Sequence, residues 1–413
     1  MDTNSDSRAA FEQYIEKSQK KLVVFVVTQG HALNYGLGTY TANVYKSVGH
    51  NDNYDFVGII LDANSEDVKF DYSYGVPFYS LPYRGASKNL LYKSIAYFIA
   101  SRLISDREVI FHFNLPDHLK FATIVKKLLS AKIVYTQHFM EWAIQLGADR
   151  EELLRRLEKN DPYICRKVSE EQNMMLLSDI VIAVAKHSIE SMTKIYHIPS
   201  SKIRLVPHAI EIDDKNLNSL VLRKKYNLSE KDRILLYVGR LDANKNIHTL
   251  IQAFSKISHD NIYLWIVGEG HLNLFLNEIP ESDWRFVKFW GYQDRERIKE
   301  FYSLADIGIV PSNYEEFGYV ALEMMMSGLP VIVNNTSGLS ELTEGFNNDI
   351  ILSYNGHLSS LIHAINFRLR HPASIRDKDC LRNYILNTYS QISFMKKLVN
   401  IYLETKITNN IDH

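Results

Sequence analysis

The 413-residue chain is nearly neutral, with 47 Lys and Arg against 48 Asp and Glu, so no overall field draws it to nucleic acid or another polyanion, and any anion site must be local. With 46% hydrophobic and 23% charged residues it is globular rather than disordered, and its length suits two domains of roughly 200 residues each, hence a cleft. The polar start, Met1 to Lys21, lacks a secretory pattern, no run approaches the roughly 18 apolar residues of a membrane span, and Cys165 and Cys380 are too few and too far apart for a disulfide framework; a cytoplasmic protein is expected.

In chain order, a solvated N-terminal helix gives way at Lys21 to the apolar, β-branched run 22–28, a buried strand. Similar runs at 56–61, 109–113, 133–136 and 180–184 alternate with helical-period segments such as 89–104 and 118–129. Strands alternating with helices predict a parallel α/β sheet. This first half closes near 203–207, and a polar stretch over 211–232 reads as a junction. The pattern then restarts, with strands at 234–238, 262–267, 287–289, 307–310, 331–333 and 349–352 and helices at 248–258, 295–304 and 319–327. A last helical run, 392–405, follows the second sheet and is expected to pack back on the first domain. The domain expectation is 1–207, a junction at 208–232, a second Rossmann-like domain at 233–390, and a C-terminal helix within 391–413.

Doubly wound sheets bind ligands at the carboxyl ends of their strands, so the loops there carry the candidate chemistry. Residues 311–333 run loop, helix, turn, strand, with Phe317, Gly318 and Tyr319 where the helix begins. Unpaired N–H groups and the positive end of the helix dipole at such a start hold phosphate or sugar hydroxyls. Glu315 lies just before that helix and Glu323 within it, placing one carboxylate for a sugar and the other for a ribose diol; the bland alternative is two solvated glutamates. After the first strand of the second domain, Gly239 precedes Arg240 and Lys245 on one short loop, a fork and a point charge able to converge on a diphosphate. Gly268 and Gly270 form a strand-end turn that is as much structural as nucleotide-lining. In the first domain, Gly36 and Gly38 open a helix after the first strand and offer amides to the same diphosphate. His138 stands just past a strand end, a cleft position, although a lone histidine is more often structural.

Together these segments resemble family 4 of the retaining glycosyltransferases, the glycosyl transferases group 1, with the GT-B fold of two facing Rossmann-like doubly wound domains and a central cleft. The resemblance is strongest over 234–341 and collinear over 22–208. Its signature here is Gly239-Arg240-Leu241 with downstream Lys245, then Glu315 and Glu323 around Phe317-Gly318, then Ser327-Gly328-Leu329-Pro330-Val331. The resemblance implies that Glu323 binds the donor ribose, Glu315 sits beside the transferred sugar, and Arg240 with Lys245 neutralises the departing diphosphate. It implies retention of anomeric configuration by front-face attack, with no cofactor and no divalent metal, the nucleotide-diphosphate sugar being a substrate; Asp377-Lys378-Asp379 is poorly placed for a metal motif. The expected reaction moves a hexosyl group, from UDP in preference to GDP, to a saccharide or lipid-linked acceptor in cell-surface polysaccharide or glycoconjugate synthesis. Departures from the family pattern are Tyr35, Phe139, His208-Ala209, Asn246 and Leu339.

The stretch 83–102 carries Arg84, Lys88, Lys93 and Arg102 with no acid, and Ile95, Phe98 and Ile99 at helical spacing. It would suit peripheral contact with an anionic membrane, against the plainer reading of a core helix with a basic edge. Two other function classes fit the same fold: a nucleotide-sugar epimerase, and an inactive nucleotide-binding partner protein.

Overall fold

The computed structural model describes residues 3–29, 36–48, 53–82, 87–103, 107–210, 217–257, 261–271, 273–344 and 350–404. They form two compact units, one drawn from 1–140, 154–209 and 391–413, the other from 141–153 and 210–390. Residues 141–153, which the sequence division places in the first domain, therefore belong to the second unit, and the 208–232 junction divides after Ala209.

The first unit holds β1 (Lys21–Thr28), β2 (Tyr54–Leu61), β3 (Lys69–Ser73), β4 (Val76–Leu81), β5 (Val109–Phe113), β6 (Lys132–Gln137), β7 (Ile180–Ala183) and β8 (Ile203–Leu205). Their order is β3-β4-β2-β1-β5-β6-β7-β8. Each pairing is parallel except that of β3 with β4. β1 is a continuous apolar run from Leu22 to Val27, and β5 is apolar except for His112, because helices cover both faces of a parallel sheet, and residues 22–27 and 109–113 are buried throughout. β3 escapes sequence reading because it is an edge strand that buries only Phe70. Its hairpin turns through Tyr74 and Gly75, both at positive φ (53° and 78°), as a two-residue loop matched to strand twist demands.

The helix Gln391–Glu404 lies in this unit, with Phe394, Leu398, Ile401 and Tyr402 in the core beneath the Gly36–Val48 helix. The N-terminal helix Thr3–Lys17 is not wholly solvated: Phe11 and Ile15 are buried, and Phe11 stacks on Phe70 at 5.5 Å. In the helix Lys88–Leu103, Ile95 and Ile99 are buried in the unit, and Phe98 is half-buried against Tyr79. The apolar side that the sequence offered to a membrane is thus occupied by the core, leaving Leu90, Lys93 and Tyr97 exposed; Tyr83, Arg84 and the side chain of Arg102 lie outside the described residues. No helix among the described residues is long and apolar enough to cross a membrane.

The second unit holds β9 (Arg233–Val238), β10 (Ile262–Val267), β11 (Val287–Gly291), β12 (Ile307–Val310), β13 (Val331–Asn334) and β14 (Ile351–Tyr354). All pair in parallel in the order β11-β10-β9-β12-β13-β14, the doubly wound order with its switch point between β9 and β12. The core lies against β9, β10 and β12, where Ile247, Leu250, Ile251 and Phe254 of the following helix pack. Gly308 of β12 lets the Tyr319–Met326 helix close in: a Cβ there would lie 2.5 Å from the Met324 sulfur.

Candidate functional site

The loops after β9 and β12 leave the switch point of the second sheet and are tied to each other. Asn244 Nδ2 donates to the Tyr314 carbonyl at 3.0 Å, and the Asn313 N–H donates to the Asn244 carbonyl at 2.8 Å. Through this zipper Lys245 reaches Glu315, 70 residues away, and their ammonium and carboxylate form an ion pair, with both side chains largely buried. Ser312 Oγ donates to the same carboxylate oxygen at 2.8 Å. Arg240 stays outside this pair. Its guanidinium lies 3.1 Å from Asp242 and its side chain is 49% exposed, so it is available to an anion from solvent. Asp242 also accepts the Lys245 N–H at 3.2 Å, capping the short 3-10 turn Ala243–Lys245. Asn246, one of the departures from the family pattern, adopts φ 51°, a conformation asparagine visits readily.

Gly318 ends the second loop at φ 83° and is the N-cap of the Tyr319–Met326 helix. It has no side chain to cap the first turn, and a helix start of this kind can hold an anion. A Cβ at Gly318 would come within 2.9 Å of the side chain of Leu339, so this departure from the family pattern forms the floor under the helix start. Phe317 is buried against Tyr319 and Tyr389, at ring distances of 5.1 and 5.7 Å, so its side chain is packing and its contribution to a ligand is backbone. Glu323 is half-buried and accepts a hydrogen bond from Tyr302 at 3.0 Å; burial and the charge of Glu323 hold the Tyr302 phenol well above its ordinary pKa. The strand-end glycines form a backbone bracket. Gly239 N–H donates to Val267 O at 2.9 Å, Leu241 N–H to Glu269 O at 2.7 Å and Gly268 N–H to Gly291 O at 2.9 Å. Gly270 pairs with Leu241 across an isolated bridge. The bracket fixes where the β9 loop, and with it Arg240, leaves the sheet.

In the first unit the switch point lies between β1 and β5. Gly36 and Gly38 stand in the first turn of the Gly36–Val48 helix, while residues 30–35 before it, Tyr35 among them, lie outside the described residues. His138 follows β6, half-buried, with Nε2 3.1 Å from Asn114 Oδ1, and its ring meets Tyr40 at 4.5 Å and stacks on His208 at 5.3 Å. His112 on β5 is fully buried and bonded at both nitrogens, to Tyr402 and Thr136, each at 2.7 Å. His118 is 2% exposed. Its Nε2 lies 2.6 Å from Thr28 Oγ1, and its Nδ1 has no hydrogen-bond partner among the described residues.

Burial pushes His112, His118 and His138 down to about 3, helped at His112 by His138 and at His118 by Lys88. His208 is driven well below its ordinary value by burial and by His138. These histidines stay neutral in the folded unit while the unfolded chain takes up protons below about pH 6.5, so stability is full above that pH and lost progressively toward pH 3. We predict that the unfolding free energy from denaturant titration falls between pH 7 and pH 5, by on the order of 1 kcal/mol per pH unit for each proton that the unfolded chain takes up; a free energy flat over that range would contradict neutral burial.

The second unit thus brings Lys245 and Glu315 into contact and puts Arg240 on the same loop, with Glu323 farther along the helix. His138, Gly36 and Gly38 belong to the first unit. Sequence reading missed Asp242, Asn244, Ser312 and Tyr302, whose partners are fixed by folding, and it missed Asn114 and His118, although the loop 114–118 directly follows a predicted strand. Among the described residues no group of three or more His, Cys, Asp or Glu is arranged to hold a metal ion. Asp377 instead completes a capping box with Ser374 at the start of the Ile375–Thr388 helix.

Residues 219–380 match the family described as glycosyl transferases group 1. Among curated proteins the chain is similar to an uncharacterized glycosyltransferase of Methanocaldococcus jannaschii, 29% identical over 238 residues, which covers 54% of this chain and 59% of that protein. Among solved structures it resembles a sucrose-phosphate synthase from Thermosynechococcus elongatus, with a TM-score of 0.72 at 19% identity over 93% of this chain and 99% of that one. It also resembles HepE of Anabaena in complex with UDP and glucose, with a TM-score of 0.71 at 15% identity over 93% and 99%.

Proposed function

We propose, for a chain whose residues 219–380 belong to the glycosyl transferases group 1 and whose fold is GT-B, that it is a retaining hexosyltransferase using a nucleotide-diphosphate sugar, UDP in preference to GDP. The reading rests on one observation above the rest: the switch point of the second sheet carries Lys245 and Glu315 in contact, with Arg240 on the same loop as Lys245 and the Gly318 helix start on the same loop as Glu315. Arg240, Lys245 and the first-turn amides would bind the diphosphate, and Glu323 the ribose. As the bond between the anomeric carbon and the diphosphate oxygen breaks, charge grows on that oxygen. The cations and amides stabilise it electrostatically, Lys245 exchanging its Glu315 partner for phosphate, so a divalent ion is not required. The acceptor oxygen attacks from the same face and its proton passes to the departing phosphate. The preference for UDP is supported by HepE, solved with UDP and glucose. The acceptor is a saccharide or a lipid-linked saccharide at the cytoplasmic side of cell-surface polymer synthesis, in keeping with the family resemblance.

A thermal-shift series with UDP-, GDP- and ADP-sugars tests the donor. UDP-sugars are expected to raise the melting temperature most, and no shift with any of the three would remove the reading. Lys245→Ala should weaken UDP binding by about tenfold or more, the worth of a charge-assisted contact to phosphate; titration calorimetry giving wild-type affinity would take Lys245 out of the site.

A further inference from the structure

Asn114 is a residue of the first unit to which the donor reading gives no part. It follows β5 directly, at the switch point of its sheet, and is 1% exposed. Its Nδ2 donates to the Val26 carbonyl of β1 at 3.0 Å. Only the nitrogen of an amide donates, so this bond fixes the orientation of the group and turns Oδ1 toward His138, whose Nε2 lies 3.1 Å away. A carbonyl oxygen can only accept, so Nε2 must carry hydrogen. A neutral imidazole has a single N–H, and Nδ1 is therefore left with its lone pair. The remaining neighbours orient the ring and exclude water from it: Tyr40 lies edge-on at 4.5 Å, and His208 stacks at 5.3 Å with the planes 20° apart, and this burial disfavours a charge on His138. No described residue hydrogen-bonds to His138 Nδ1.

We propose that Asn114 is a positioning residue that locks His138 as the Nε2–H tautomer, so that Nδ1 serves as the hydrogen-bond acceptor for a hydroxyl of a bound saccharide. The tautomer follows from the amide geometry together with the neutrality of the buried ring, whereas the saccharide hydroxyl rests on the transferase reading.

Nitrogen-15 imidazole correlation spectra of the full chain test the assignment. In the wild type, His138 should show a pyrrole-type Nε2 and a pyridine-type Nδ1. Asn114→Leu, which removes the fixed acceptor, should move both signals toward a tautomer average, while the His112 signals stay unchanged and report an intact core. Asn114→Asp, which keeps an oxygen facing Nε2, should retain the Nε2–H signature. Turnover in Asn114→Leu is expected to fall about tenfold with nucleotide affinity unchanged, the effect of one misdirected hydrogen bond in the transition state. A wild-type Nδ1–H tautomer, or a tautomer indifferent to Asn114→Leu, would overturn the proposal even with normal transfer. A changed tautomer with unchanged turnover would overturn the role of Nδ1. Absence of any nucleotide-sugar binding, with the Nε2–H tautomer present, would instead remove the transferase reading and the saccharide role together.

Discussion

Glu315→Gln is expected to abolish sugar transfer, with turnover down by about 10²-fold or more, the scale seen when one electrostatic partner of a transition state is removed. UDP should bind at least as well as to the wild type. The Lys245 ammonium is paired with Glu315, and Ser312 holds that carboxylate in place. A diphosphate binding at Lys245 must compete with that ion pair. The neutral amide removes the competitor while keeping the shape, so the cation is freed for phosphate. Titration with UDP and single-turnover assays on the same preparation separate the two effects. Turnover near wild type would take Glu315 out of the mechanism. A UDP affinity that falls in parallel with Lys245→Ala would mean that the pair supports the site as one structural unit.

The second large effect is on stability. Gly268→Ala should destabilise the second unit by about 3 kcal/mol or more, through backbone displacement and strain at a positive φ. A Cβ there would lie 1.8 Å from the Gly239 carbonyl oxygen, and φ is 136°. Neither neighbour can yield: Gly239 is held by Val267 O and Gly268 by Gly291 O. Gly291→Ala is the control. Its φ is also positive, 64°, but a Cβ there meets nothing within 4 Å, so only the backbone cost of about 1 kcal/mol applies. Chemical unfolding of the two variants should differ by the value of the clash. Equal stabilities would show that the β9 and β10 ends separate without cost and that the bracket does not fix the Arg240 loop.

How much of this was legible beforehand differs by element. The central strands β1, β5, β10 and β12 are readable almost to the residue, since a strand covered on both faces is apolar at nearly every position, His112 of β5 being admitted by hydrogen bonds at both ring nitrogens. β3 and β4 were not, because an edge hairpin needs only alternate apolar positions and this one turns on Tyr74-Gly75 rather than a stronger turn pair. The helix Lys88–Leu103 was found, but the fate of its apolar side was not: periodicity shows that a face exists and leaves open what covers it. In the second unit, Gly318 before a helix at a strand end announced its own geometry, because a left-handed residue and a helix start are local properties. The partners of the charged groups did not announce theirs. Arg240 and Lys245 share a loop, yet one is engaged by Asp242 and the other by Glu315.

What the amino-acid order determined by itself was therefore the alternation of strand and helix, the restart of that pattern near residue 234, and the strand-end loops that carry glycine, cation and carboxylate. These depend on periodicity and backbone conformation, which act within a few residues. Tertiary structure alone decided that Lys245 meets Glu315 across 70 residues, that the 141–153 segment belongs to the second unit, and that Asn114 turns its oxygen to His138. The first and last of these depend on the direction of an ion pair or hydrogen bond between separate segments, which exists only once each sheet has set its strand ends side by side, and the second depends on which residues the segment packs against.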